Sequence, residues 1–186
     1  TASKTIAEYA VTDPDFSILV QALMKADLAE VLDGEGNFTV FAPTNAAFNA
    51  LFTQLGINGI EDLSAETLTP ILLYHVLGTE KKASMITSGY YATLSPAGGN
   101  FASMYITLTG GVYIDRDTKV TTADVDVKNG VIHVIDKVLL PPSVVDLALD
   151  NSNFSILVQA VVKANLVETL STPGPFTIFA PTDTAF

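Results

Sequence analysis

Residues 37–48, Asn-Phe-Thr-Val-Phe-Ala-Pro-Thr-Asn-Ala-Ala-Phe, join a predicted strand to a predicted helix. The short apolar run Phe38–Ala42 is typical of a buried strand. Pro43 ends it, because proline lacks the N–H group that a sheet requires. Thr44 is a residue type that caps helices, and the apolar residues after it continue with helical spacing to Gly56.

The same block returns near the end of the chain as part of a longer repeat. Residues 143–186 repeat residues 5–48 at a constant offset of 138 without a gap, and 22 of 44 positions are identical. Self-similarity at a fixed period indicates an array of like modules. We therefore expect one complete domain over residues 1–142 and the N-terminal part of a second, truncated domain over residues 143–186.

Helices are expected at the start of each copy. Thr5–Glu8 and Ser143–Asp146 each have the form of a capping box, in which a hydroxyl and an acid three residues later satisfy the first turn. Asp13–Asp15 contains a proline at a first helical position, and apolar residues with the 3.6-residue period predict one helix from there to Leu32. The same spacing predicts another helix that begins near Ser64.

Apolar and polar residues alternate after residue 90, as is typical of strands with one buried face. Along residues 122–128 this alternation places Asp124 on a polar face, opposite a predicted core face of Ala123, Val125 and Val127. Asn129-Gly130 predicts a two-residue hairpin turn, and an apolar strand is expected over Val131–Leu140. Helices first and mostly antiparallel strands later indicate an α+β domain.

Composition and charge exclude several classes of function. The net charge is −11 and no stripe of Lys and Arg is present, so nucleic acid and anionic membrane surfaces are poor partners. The chain is 48% apolar, enough for a real core, but no apolar run reaches the roughly 18 residues of a membrane span. Cysteine is absent, which excludes disulfides, thiol catalysis and cysteine-ligated metals.

Catalytic, metal and cofactor sites are not indicated. The chain has two histidines and no Gly-x-Ser-x-Gly nucleophile elbow. Calcium needs six or more converging oxygens, and Asp115-Arg116-Asp117 is better interpreted as a hairpin turn. Paired carboxylates are abundant in an acidic chain, so a glycosidase pair stays open, although no cleft is implied. We expect no catalysis, no cofactor and no metal.

Three blocks, in order, resemble the signatures of the fasciclin domain family, in its beta-Ig-H3-like form. Residues 37–48 look like the first signature, and residues 130–142, Gly-Val-Ile-His-Val-Ile-Asp-Lys-Val-Leu-Leu-Pro-Pro, look like the second. Leu73–Leu77 matches the Tyr-His block between them. Residues 5–142 contain all three blocks, whereas residues 143–186 contain only the first, at Phe176–Phe186.

The resemblance implies a wedge of orthogonally packed, mostly antiparallel β-strands with several N-terminal and peripheral α-helices. It also implies an extracytoplasmic protein (secreted, periplasmic or on the cell surface), often with tandem modules. The family is associated with cell adhesion, with matrix proteins and, in animals, with integrins. Partners would be proteins or polysaccharides of a cell surface or matrix, and no enzyme activity is typical.

Two candidate partner-binding sites follow from the resemblance. The family's integrin-linked Asp-Ile motif falls on Asp124-Val125, where valine replaces isoleucine and Asp126 stands at a usually apolar position. A carboxylate on the polar face could reach a partner, although a solvated strand face would explain the same residues. The Tyr-His motif falls on Tyr74-His75. For this pair, and for His133, core packing with satisfied polar atoms is the favoured interpretation.

The leading hypothesis is an adhesion or interaction module without catalysis. A passive structural spacer in a surface array is one alternative, and a binder of a small apolar or sugar ligand is another. Residues 143–186 add a further expectation, because one helix and one strand cannot bury their own apolar face. Its apolar residues are therefore expected to bury either against residues 1–142 or against the same segment of another chain, which would be self-association through residues 143–186.

Overall fold

The computed structural model describes residues 3–97, 100–115, 117–149, 151–171 and 176–186. The chain divides into two compact units, an N-terminal unit over Thr1–Leu140 and a C-terminal unit over Pro141–Phe186. None of the helices in the described residues is long and apolar enough to cross a membrane.

In the described part of the N-terminal unit there are five α-helices: α1 (Ile6–Thr12), α2 (Ser17–Lys25), α3 (Ala29–Asp33), α4 (Asn45–Leu55) and α5 (Ala65–Tyr74). The caps predicted at Thr5–Glu8 and Thr44 are confirmed, and α5 begins next to Ser64 as predicted. Thr5 and Glu8 form a complete capping box, and the Thr44 and Ser64 side chains accept N–H bonds in the first turns of α4 and α5. Shorter 3-10 helices span Pro14–Phe16, Ile60–Asp62 and Ala83–Met85.

The single helix predicted as far as Leu32 is wrong, because the chain breaks between α2 and α3. Asp27 adopts a left-handed conformation with φ of 56°. The Leu28 N–H then donates to the Leu23 carbonyl at 2.9 Å, which closes the end of α2. The apolar period continues across the break because both helices pack against one core.

Seven strands form one mixed sheet in the order β2-β1-β7-β6-β5-β4-β3. They are β1 (Phe38–Pro43), β2 (Val76–Leu77), β3 (Gly89–Ala97), β4 (Asn100–Thr107), β5 (Tyr113–Ile114), β6 (Thr118–Val127) and β7 (Gly130–Ile135). The pair β1 and β7 is parallel and the other neighbours are antiparallel. The predicted α+β class with mostly antiparallel strands is confirmed.

The hairpin between β6 and β7 differs from the prediction by one residue. Val127 pairs with Gly130, so the loop consists of Lys128 and Asn129. Gly130 opens β7 with φ of 152°, and an added Cβ would lie 2.0 Å from the Phe38 carbonyl oxygen. The glycine is therefore required by the close approach of β7 to β1. β7 ends at Ile135, five residues earlier than predicted.

β1 lies between two apolar clusters. Val40 and Ala42 pack with the helices, whereas Phe41 belongs to a second cluster with Tyr74 and Met104. Alternate side chains of a strand point to opposite faces, which explains this division. The predicted buried strand is thus confirmed, and it joins both halves of the core.

Within its described residues, the C-terminal unit contains three α-helices, α6 (Val144–Leu149), α7 (Ser155–Lys163) and α8 (Val167–Ser171), and two 3-10 helices, Ser152–Phe154 and Asp183–Ala185. The predicted capping box is present, since Ser143 N–H donates to Asp146 Oδ2 at 2.8 Å and Asp146 N–H donates to Ser143 Oγ at 3.2 Å. Residues 176–180 were expected to form a strand like β1, and that expectation is wrong. β1 is a strand because β2 and β7 flank it, and residues 176–180 pair with no strand among the described residues.

Candidate partner-binding surface

The segment after β2, residues 79–83, is bound to the sheet by buried side chains. Thr39 Oγ1 donates to the Thr79 carbonyl at 2.7 Å and accepts the Lys81 N–H at 2.7 Å. The His133 Nε2 atom lies 2.8 Å from the Lys81 carbonyl. Thr39 and His133 are both fully buried, so this segment has a fixed position beside β6 and β7.

Asp124 lies at an irregularity of β6, where the pairing with β7 shifts between Thr122 and Val125. Its backbone is left-handed, with φ of 59°, a conformation that Asp tolerates better than most residues. Its N–H donates to His133 Nδ1 at 3.2 Å, which places the ring proton on Nε2. Its Oδ1 accepts the Ala83 N–H at 2.7 Å. The exposed carboxylate therefore has a fixed position.

The residues beside Asp124 depart in part from the predicted alternation. Val127 is buried and Val125 is half-buried against the helix-side core, but Ala123 is exposed. The reason is the shift in pairing, which moves Ala123 and Asp124 out of the regular pleat. Asp126 remains on the exposed face as predicted.

Lys82 places a cation beside the Asp126 carboxylate. Lys82 Nζ is 2.7 Å from Asp126 Oδ1, and both side chains are well exposed. A hydrogen bond and charge attraction from Asp126, with smaller contributions from Glu80 and Asp124, raise the pKa of Lys82. Exposed ion pairs of this kind contribute little to stability. We name Glu80, Lys82, Asp124 and Asp126 the Asp124 surface.

The Tyr74 side chain lies in the interior and is 0% exposed. Its hydroxyl donates to Asp115 Oδ2 at 2.8 Å, and its Oη atom is 3.2 Å from the Ser103 carbonyl. Burial, reinforced by the negative charge of Asp115, raises the pKa of Tyr74 well above its usual range. Tyr74 therefore remains a protonated hydrogen-bond donor that joins α5 to β4.

The His75 side chain is also buried, at 2% exposed, and both ring nitrogens have partners. Nε2 accepts the Leu139 N–H at 2.9 Å, so Nδ1 carries the proton and donates to the Ile71 carbonyl at 2.7 Å. This bond attaches the chain after β7 to the end of α5. Because both side chains are buried, Tyr74 and His75 do not contact a partner directly. Any part that they play in binding would act through the stability of the fold.

Stability below neutral pH is expected to depend on His75. Burial lowers the pKa of His75 to about 4 from its ordinary value of 6.5. Above pH 6.5 the imidazole is neutral in both the folded and the unfolded chain, so stability has its full value. As the pH falls from 6.5 towards 4, only the unfolded chain takes up this proton. The free energy of unfolding is expected to fall by about 3 kcal/mol over that interval.

Urea unfolding at pH 4 to 7, for the unchanged chain and for His75→Gln, measures this effect. The signal is tyrosine circular dichroism, because all six tyrosines lie in the N-terminal unit. Glutamine cannot take up the proton, so the variant is expected to be less stable at pH 7 but to lose stability less steeply in acid. Parallel pH curves for the two proteins would contradict this role of His75.

The other predicted features concern metals and the turn at residues 115–117. No group of three or more His, Asp or Glu side chains that could hold a metal ion occurs in the described part of the chain. The predicted turn includes Arg116, which lies outside the described residues.

Comparison with known proteins places the chain in a family. The fasciclin domain model matches residues 14–141 and 152–186. The chain therefore belongs to the fasciclin domain family, as the signature blocks predicted.

Individual relatives differ greatly in length. The chain is 43% identical over 141 residues to protein sll1483 of Synechocystis, covering 76% of each protein. It is 30% identical over 188 residues to human periostin, covering 98% of this chain but only 21% of periostin. A solved FAS1 domain pair from the insect cell adhesion molecule fasciclin I aligns with a TM-score of 0.42 and 17% identity, over 89% of this chain and 55% of that one.

Proposed function

We propose that this chain is an extracytoplasmic adhesion or interaction module that binds protein or polysaccharide partners through the Asp124 surface, without catalysis. Residues 1–142 would form the complete module, and residues 143–186 the first part of a second module. The observation that supports the binding role is Asp124, an exposed carboxylate in a fixed position on a left-handed backbone.

The geometry at Asp124 favours a binding role over a solvated strand face. A left-handed backbone is unfavourable for most residues other than glycine, although Asp tolerates it better, and residues in unfavourable conformations concentrate at functional sites. Irregularities in a strand also redirect side chains out of the pleat. A carboxylate that is already fixed loses little entropy on binding. The acidic surroundings favour partners with cationic or hydrogen-bond donor groups.

The binding of a small ligand inside the N-terminal unit is less well supported. The gap between its helices and sheet has a volume of about 20 Å³. Ligand pockets generally require about 300 Å³ or more. A spacer without any binding surface remains the main competing function. A binding assay with the immobilised chain distinguishes it from the proposed binding module.

Asp124→Asn tests the charge of the carboxylate without changing its shape. Asparagine tolerates the left-handed backbone and still accepts the Ala83 N–H, so stability is expected to change by no more than about 0.5 kcal/mol. Partner binding is expected to weaken about tenfold or more, since the loss of a charged contact costs over 1 kcal/mol. The immobilised chain is probed with cells, matrix proteins and polysaccharides, and bound partner is quantified.

Glu66→Gln is the matched control, because it removes an exposed carboxylate of α5 that is not part of the Asp124 surface. Its binding is expected to remain within about threefold of the unchanged chain. Asp124→Ala, which also loses the bond from Ala83, should weaken binding and reduce stability by about 1–2 kcal/mol. The absence of saturable binding to any of these partners would favour the spacer. Equal binding by the unchanged chain and Asp124→Asn would place the surface elsewhere.

A further inference from the structure

We propose that Asn58 is a modification site of the folded chain, where spontaneous deamidation produces aspartate and isoaspartate, and that the fold protects Asn129 from the same reaction. The inference is independent of the Asp124 surface. Its basis is that the dipeptide Asn-Gly occurs twice in the sequence, as Asn58-Gly59 and as Asn129-Gly130. The structure places these two dipeptides in opposite environments.

Deamidation of an Asn-Gly dipeptide uses only the chain and water. The glycine N–H loses its proton to solvent base, and the nitrogen then attacks the asparagine Cγ atom. The new C–N bond closes a succinimide ring, while the bond from Cγ to the side-chain nitrogen breaks and ammonia leaves. Water then opens the ring at either carbonyl, which gives aspartate or β-linked isoaspartate. Glycine favours the reaction because a residue without Cβ reaches the backbone conformations that ring closure requires.

Asn58 meets the requirements of this reaction. It is exposed and lies in the connection between α4 and α5. In the described part of the chain, its Nδ2 makes one contact, to Asp62 Oδ2 at 3.4 Å, which is long for a hydrogen bond. The Gly59 N–H donates to no acceptor among the described residues. Apart from the adjacent residues, no atom lies within 4 Å of a Cβ added at Gly59, so the space for ring closure is open.

The connection around Asn58 is also able to accept the product. Lys25 Nζ donates to the Ile60 and Glu61 carbonyls at 3.1 and 2.9 Å, and Ile60 is buried, so the segment after the site is held independently of the Asn58 side chain. Deamidation adds one negative charge near Asp62 on an exposed surface. Charges at such positions change stability little. We therefore expect the modified chain to remain folded.

The side-chain amide of Asn129 is held at both ends. Asn129 is 4% exposed. Its Nδ2 donates to the carbonyls of Leu32 and Gly34, each at 2.8 Å, and its Oδ1 accepts the Ile6 N–H at 2.9 Å. The Cγ atom is thus fixed by partners on α1 and at the end of α3, away from solvent.

Gly130 is held as firmly as the amide beside it. It pairs with Val127 across the hairpin and with Phe38 of β1. A Cβ added there would lie 2.0 Å from the Phe38 carbonyl oxygen, so the space beside this glycine is closed. Attack on Cγ requires Gly130 to leave this register. Asn129 is therefore expected to react only in opened or unfolded chains, whose population is small.

The two products differ in their effect on the fold. A carboxylate at residue 129 would direct an oxygen at the carbonyls of Leu32 and Gly34, in a buried position where this contact is unfavourable. A carboxylate at residue 58 would face solvent. The fold thus covers the Asn-Gly dipeptide whose deamidation is damaging and leaves open the one whose deamidation is tolerated.

Incubation of the full chain under native conditions, followed by peptide mass spectrometry, compares the two sites. Deamidation is expected to be at least about a hundredfold faster at Asn58 than at Asn129, because the second site depends on opening of a stable unit. In urea that unfolds the chain, the two rates should differ by no more than about threefold, since the protection is lost. Asn49 is an internal control, because it is exposed but precedes alanine, and it should remain unmodified.

Gly59→Ala tests the chemistry at Asn58. It is expected to slow deamidation there about tenfold or more, because a Cβ restricts the attacking backbone. The tyrosine circular dichroism should stay unchanged, both for this variant and for the chain deamidated at Asn58. Methylation by a protein isoaspartyl methyltransferase identifies isoaspartate at residue 58. Equal rates at Asn58 and Asn129 in the folded chain, a rate at Asn58 that Gly59→Ala leaves unchanged, or a rate at Asn129 that does not rise on unfolding would each overturn the proposal.

Discussion

Replacement of Gly130 by alanine is expected to lower the free energy of unfolding of the N-terminal unit by about 4 kcal/mol or more. Two effects combine. The φ of 152° lies in a region that is unfavourable for alanine, and the new Cβ would lie 2.0 Å from the Phe38 carbonyl oxygen. That atom belongs to a strand backbone and cannot rotate away. Relief requires β1 and β7 to separate at the first pair of their register.

Gly59→Ala is the matched control for Gly130→Ala. Gly59 has an extended backbone, with φ of 175°, and no atom lies within 4 Å of an added Cβ. Its replacement is expected to leave stability unchanged or to raise it by up to about 1 kcal/mol, because alanine restricts the unfolded chain. Urea unfolding followed by tyrosine circular dichroism measures both variants. A loss below about 1 kcal/mol for Gly130→Ala would show that the strands separate easily.

Asn129→Ala is expected to lower the free energy of unfolding by about 4 kcal/mol, since two buried hydrogen-bonding groups and a third, part-buried one lose their partner. Asn129 is 4% exposed. Its Oδ1 accepts the Ile6 N–H at 2.9 Å, and its Nδ2 donates to the carbonyls of Leu32 and Gly34, each at 2.8 Å. This side chain therefore joins the β6–β7 loop to the start of α1 and the end of α3.

Asn129→Asp separates hydrogen bonding from shape. Aspartate retains an acceptor for the Ile6 N–H but directs a second oxygen at two carbonyls, so it should destabilise the unit at least as much as alanine at pH 7. Asn49→Ala, on the exposed side of α4, is the control and should change stability by less than about 0.5 kcal/mol. Urea unfolding followed by tyrosine circular dichroism measures the stability of all three variants. A tolerated Asn129→Asp would mean that the two carbonyl contacts contribute little.

Local features of the fold were predictable from nearby residues. The caps at Thr5, Thr44, Ser64 and Ser143 depend on side chains within three positions of the atoms that they satisfy. The buried strand at Phe38–Pro43 was predictable for a similar reason, because its apolar run and its proline are adjacent in sequence. Family membership also followed from short blocks in a fixed order.

The features that sequence patterns did not predict depend on contacts between residues that are distant in sequence. The dipeptide Asn129-Gly130 predicts a turn, yet Asn129 bonds to residues about 95 to 123 positions away. No local pattern shows that Gly130 approaches Phe38. The candidate surface was predicted only in part. Asp124 is exposed as expected, but its bonds to Ala83 and His133 depend on three segments that meet only in the folded chain.

The repeat shows most directly which features depend on local sequence and which depend on tertiary contacts. Residues 38–43 and 176–181 share Phe-Thr, then Phe-Ala-Pro, and the sequence alone determined their apolar pattern and the helices that precede them. Only the tertiary structure decided that the first copy is a strand and the second is not. A strand exists through hydrogen bonds to its neighbours, whereas a helix satisfies its own backbone. For this reason α6, α7 and α8 form in the second copy without the partners that its would-be strand requires.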